Sequence, residues 1–115
     1  MVSNFLLLSK EMNMAIYVDN MRIKHKGKEW CHLMADSLEE LHDFALTLGV
    51  KRCWFHKNAS YPHYDVTVEV RNRALIYGAV PAERKKIIEC GRKLRIELLN
   101  NNQINRYNKL QIELF

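Results

Sequence analysis

The chain has 115 residues, 48% of them hydrophobic and 27% charged, with a formal net charge of +5. This is the composition of a globular domain with one core, large enough to fold without disulfide staples or a structural metal, so a disordered chain is excluded and no cofactor is expected. Cys31, Cys53 and Cys90 are odd in number and make no C-x-x-C pair, which argues against a disulfide framework or a zinc ribbon and predicts three small buried thiols in a reduced, cytoplasmic protein.

In chain order, Phe5-Leu6-Leu7-Leu8 is too short for a signal peptide and no segment is long enough to span a membrane. Residues 1–13 are expected to be an N-terminal extension and residues 14–115 a single α/β domain. Met14 to Asp19 predicts a buried strand, and Met21 to Glu29, basic and nearly free of apolar residues, an exposed loop. Trp30 to Ala35 predicts a second strand. Ser37-Leu38-Glu39-Glu40 is a capping box that opens a helix with Leu38, Leu41, Phe44, Ala45 and Leu48 on one stripe and Gly49 just past its end. Lys51 to His56 predicts a third strand. Asp65 or Thr67 is expected to cap a helix that ends at Gly78, Pro81 to begin a third helix running to about Asn100, and Leu110 to Leu114 to form an edge strand. Alternation of strands and helices predicts a small, mostly parallel sheet with packed helices.

In such a fold, ligands bind where strands end and helices begin. Asp19 and Asn20 follow the first strand, Asp36 and Ser37 the second and His56 the third, while His63, Tyr64 and Asp65 open the next helix. An imidazole beside a carboxylate serves as acid, base or cation at neutral pH, and a helix start offers free N–H groups to an anion. His42 borders the buried stripe of its helix, and His32 has no facing fixed by its neighbours. Arg71 and Arg73, with Arg52, are placed to fork onto a phosphate. Trp30 and Trp54 are expected in the core. His32, His42, His56 and His63 offer no close pair of the H-E-x-x-H kind, so no metal site is expected, and no dinucleotide, P-loop or serine-hydrolase motif occurs.

Ala15-Ile16-Tyr17-Val18-Asp19-Asn20, Trp30-Cys31-His32-Leu33-Met34-Ala35-Asp36-Ser37, Glu40-Leu41-His42-Asp43-Phe44-Ala45, Leu48-Gly49 and Pro62-His63-Tyr64-Asp65-Val66, with Arg71 and Gly78-Ala79, together resemble the bacterial and phage domain-of-unknown-function family 4031 over about residues 14–80. The resemblance implies that Asp19, His32, Asp36, His42, His63, Tyr64, Asp65 and Arg71 form a shared site, and it names no activity. Short basic members look like phage products, which implies an accessory or host-countering role.

The expectation is therefore a binding module whose His, Tyr, Asp and Arg pocket holds a phosphorylated small molecule, a nucleotide derivative. The alternative is an enzyme of hydrolase or phosphodiesterase type, with His63 as general acid/base and Asp65 or Asp36 orienting it. A third reading uses the basic end of the chain. From residue 81 on there are eight Lys/Arg against four Glu, and because the acids interrupt the basic residues this predicts weak, non-specific nucleic-acid binding only.

Overall fold

Five short strands and three helices follow one another in the computed structural model, which describes residues 15–114. The expected extension, residues 1–13, lies outside the described residues. The elements are β1 (Ile16–Val18), β2 (Ile23–His25), β3 (Lys28–Ala35), α1 (Leu38–Leu48), a single 3₁₀ turn (Arg52–Trp54), β4 (Tyr64–Thr67), α2 (Val68–Ile76), β5 (Val80–Pro81) and α3 (Arg84–Leu114). Among the described residues no helix is long and apolar enough to cross a membrane.

The fold is α/β, but the sheet is mixed rather than mostly parallel. β3 is its spine and pairs antiparallel with β1, β2 and β4, while β5 alone runs parallel to its neighbour, β1. The basic stretch expected to be a loop is instead a hairpin. Lys26 and Gly27 take positive φ (51° and 77°), the backbone of a two-residue turn whose twist matches the strands that flank it, and His25 faces Lys28 across it. Between the Val18–Leu33 pair and the Ile23–Trp30 pair, four residues (19 to 22) stand opposite two (31 and 32), so β1 and β2 run along the same side of β3 as one line interrupted by a bulge.

α1 forms as its capping box dictates: the Ser37 hydroxyl accepts from the Glu40 amide at 3.2 Å, and Gly49 closes the helix at φ 84°. Three other elements differ from expectation. Residues 51–56 make no named strand, since Arg52 to Trp54 coil into a 3₁₀ turn and only His56 bridges to His63. Trp54, expected in the core, is 53% exposed, and Cys53 beside it is exposed as well. His63-Tyr64-Asp65 does not open a helix. Tyr64 and Asp65 belong to β4, and Thr67 alone caps α2, accepting from the Val70 amide at 3.3 Å. Pro81 pairs with Val18 in β5, and α3 starts at Arg84. It runs through the expected edge strand at Leu110–Leu114, because once a helix is nucleated each further residue adds a hydrogen bond at little cost and no Gly or Pro follows Gly91.

Alternation along β3 and β4 separates two faces. Cys31, Leu33, Tyr64 and Val66 are buried in the core, with Tyr64 reaching His42 of α1. His32 and Asp65, paired between them, point the other way. On that second side α3 carries the segment 57–61: Arg95 donates to the carbonyls of Lys57 and Ala59, and Gly91 lies against Tyr61. A Cβ at Gly91 would stand 2.5 Å from the Tyr61 Cβ, so only glycine admits this approach. Gly91→Ala is expected to destabilise the domain by about 1–3 kcal/mol through overpacking at this buried contact. Urea unfolding measures it, and an unchanged midpoint would show that α3 and Tyr61 do not meet.

Candidate functional site

The bulge between β1 and β2 turns the Asp19 carboxylate inward, where it is 5% exposed. Its Oδ1 accepts from the amides of His32 (2.8 Å) and Met21 (3.3 Å), two donors that the interrupted ladder leaves without a strand partner. Its Oδ2 accepts from His32 Nδ1 at 2.7 Å, and Arg71 Nε holds the Asp19 carbonyl at 2.7 Å from α2. Burial alone raises the Asp19 carboxyl, but the His32 ring and the His32 and Met21 amides outweigh it, so the net direction is down. Asp19 is thus an ionised anchor that fixes the His32 ring by its Nδ1 edge.

Across the strand pair, His63 and Asp65 stand two residues apart and on the face of His32. His63 Nδ1–H donates to the Tyr61 carbonyl at 2.7 Å, and Nε2 faces Asp65 Oδ1 at 3.2 Å. Asp65 Oδ2 takes His56 Nε2 at 3.1 Å. The rings of His32 and His63 meet edge to face and those of His56 and His63 stack, each pair with centroids 4.9 Å apart. Each ring nitrogen of His63 thus faces an acceptor, an arrangement that favours the protonated ring. Burial pulls its pKa down, and the bonds to Asp65 and to the Tyr61 carbonyl overcome this, leaving it above the ordinary value. Asp65 moves the opposite way: burial raises it, the His63 bond and charge lower it more, and it ends below the usual carboxylate range.

Asp19, His32 and His63 line a cleft of about 510 Å³ between the sheet and the start of α3. Met21, Met34, Ile87 and Ile88 give it an apolar wall, and Ser60, Glu83 and Arg84 add polar groups. A family described as proteins of unknown function, DUF4031, has a model that matches residues 16–94, from β1 into α3. The chain belongs to the DUF4031 family. No curated protein and no solved structure matches it.

The DUF4031 match runs past residue 80, where the resemblance read from the sequence stops, and so takes in the cleft wall at Ile87 and Ile88 and the close contact at Gly91. The DUF4031 domain divides the eight site residues named from the sequence. Asp19, His32, His63 and Asp65 gather on one face, with Arg71 bracing Asp19 from behind. Tyr64 and His42 lie on the other, where the Tyr64 hydroxyl and His42 Nδ1 share a hydrogen bond of 2.8 Å and Phe55 closes edge-on against the imidazole. Burial, and then the Arg52 charge, hold His42 below the ordinary histidine value. Asp36 binds the Tyr17 hydroxyl at 3.4 Å and does not line the cleft. Nearby Cys90 is a buried thiol pushed up to about 11 by burial and the Asp36 charge, so it is no nucleophile at neutral pH. His56, Ser60 and Arg84 join the site from outside the eight, and so do the apolar residues of the wall.

Two histidines therefore titrate in opposite directions. The neutral form of His42 is favoured by folding, so its contribution to stability is present above 6.5 and lost as pH falls below it; the contribution of His63 is present below 6.5 and lost as pH rises through its folded value. Imidazole resonances followed by NMR are expected to place His63 above and His42 below 6.5, and Asp65→Asn is expected to move His63 down. Coincident titration of the two rings would contradict the geometry.

Proposed function

We propose that this DUF4031 domain is a cytoplasmic binding module for a phosphorylated small molecule, specifically a nucleotide derivative. The observation that carries this reading is the division of the cleft. A wall of Met21, Met34, Ile87 and Ile88 suits a flat apolar body, and Arg84 with His63, whose protonated form the site favours, suits an anionic group. Its volume of about 510 Å³ is that of a small-ligand pocket. Glu83 supplies a carboxylate of the kind that accepts from ribose hydroxyls, which favours a nucleotide over inorganic phosphate. An accessory role in phage biology is consistent with a small module of this kind.

The second reading is a phosphodiesterase-like hydrolase, and it too rests on His63. In it the Nε2 proton that a protonated His63 shares with Asp65 passes to a leaving oxygen in the cleft, with His32, held by Asp19, as the complementary base.

Calorimetry with adenosine monophosphate, adenosine and inorganic phosphate tests both. The nucleotide is expected to bind most tightly, and His63→Ala and Arg84→Ala each to weaken it by about 1.5–3 kcal/mol, on the order of 10- to 100-fold, as loss of a charge-assisted contact requires. Affinity unchanged in both variants, or no heat with a panel of nucleoside mono- and diphosphates, would refute the module. Hydrolysis of bis(p-nitrophenyl) phosphate that His63→Ala abolishes would move the second reading to first.

A further inference from the structure

We propose that His32, His63 and Asp65 hold a divalent transition-metal ion, Zn²⁺ or a first-row neighbour such as Fe²⁺ or Co²⁺, through two imidazole nitrogens and one carboxylate oxygen. The site shares His63 with the phosphate reading but does not rest on it, since a bound ion would supply the positive charge that the deprotonated His63 gives up.

One ligating atom from each of the three residues lies within 4.8 Å of the other two. Donors about 2.0–2.1 Å from a tetrahedral ion stand ~3.3 Å from one another. His63 Nε2 and Asp65 Oδ1 are already 3.2 Å apart, and the broad χ2 wells of histidine cover the remaining adjustment to His32.

The supporting contacts are those a metal site needs. A ligating histidine gives its second ring nitrogen to a carboxylate or a backbone carbonyl, which sets the tautomer and aims the lone pair. His32 gives Nδ1 to Asp19, and His63 gives Nδ1 to the Tyr61 carbonyl, leaving Nε2 of each to coordinate. Asp65 is oriented by His56 on its other oxygen. On metal binding, the proton on His63 Nε2 leaves to solvent and the carboxylate oxygen it served becomes a ligand.

Two imidazoles and one carboxylate select borderline transition ions over Mg²⁺ and Ca²⁺, which demand oxygen donors. Three protein ligands leave at least one coordination position open, the arrangement of a reactive rather than a structural ion. His32 and His63 line the cleft, so that position faces it.

The test is Co²⁺ titration of the full-length protein, followed by its visible ligand-field bands and by calorimetry, with Zn²⁺ as competitor and Mg²⁺ as the negative. One equivalent of Co²⁺ displaced by Zn²⁺ is expected. His32→Ala and His63→Ala should abolish the bands, Asp19→Asn should weaken binding by about 10- to 100-fold through the freed His32 ring, and His25→Ala, on the exposed hairpin, should leave it intact. Absence of Co²⁺ binding by the wild type, or binding that survives both His32→Ala and His63→Ala, overturns the assignment. Should those variants lose their fold by circular dichroism, the wild type decides: paramagnetic broadening centred on the His32 and His63 rings supports the site, and broadening confined to other residues overturns it.

Discussion

The arrangement depends on one buried carboxylate. Asp19 occupies a gap in the sheet edge where the backbone ladder between β1 and β3 lapses, and it takes over the hydrogen bonding that the missing strand residue would have done. A buried charge of this kind persists only when fully satisfied. Two amides and an imidazole satisfy it, and the Arg71 guanidinium secures its backbone. The same contacts that make the charge tolerable also fix the His32 ring, so the stability of the bulge and the orientation of a cleft residue are one physical fact. Replacing Asp19 with an apolar residue would leave the His32 and Met21 amides without their acceptor at once.

The second constraint is the two-residue period of a strand. Along His63-Tyr64-Asp65-Val66, the tyrosine and valine enter the core while the histidine and aspartate are left on the opposite face. Antiparallel pairing sets Asp65 directly opposite His32, with Cys31 opposite Val66 on the core side. Packing of the apolar residues therefore forces the polar ones together, and only the bearing of the His63 ring is set by the loop before the strand, through the Tyr61 carbonyl. Rigid strands hold such a constellation more closely than loops do.

How much of this the sequence discloses follows from how local each signal is. The capping box at Ser37 and the stripe through Leu48 act within one helix, and α1 is where they place it. Asp19, His32, His63 and Asp65 do come together, but on a face of a mixed sheet rather than at the strand ends and helix start of a parallel one, and without His42 and Asp36. The hairpin at Lys26-Gly27 was hidden because its strands carry Lys and His outward, with all of β2 exposed, so no apolar alternation signals it. His-x-Asp at residues 63–65 reads as a helix start but runs into a strand, and a helical period hides a His-His-Asp grouping that strand spacing reveals. The signal was present: two polar residues flanking Tyr64, followed by Val66 and Thr67, is the alternation of a half-buried strand. The span of α3 departs from its local pattern for a different reason. Leu110, Ile112 and Leu114 alternate as a strand does, but helix propagation from upstream outweighs a local preference with no sheet to join.

The tie between α3 and segment 57–61 has a consequence for how the protein comes into being. His63 takes its orientation from the Tyr61 carbonyl, and the segment leading to Tyr61 is secured by Gly91 and Arg95. During synthesis, residues 16 to 67 leave the ribosome with their strands ready to pair, yet the ring of His63 has no fixed bearing until the chain has been extended by a further thirty or so residues. Domains fold as units on emergence, and contacts of long sequence separation close last. The cleft is thus completed only once α3 is in place, because that helix supplies both its wall at Arg84, Ile87 and Ile88 and the support of Tyr61.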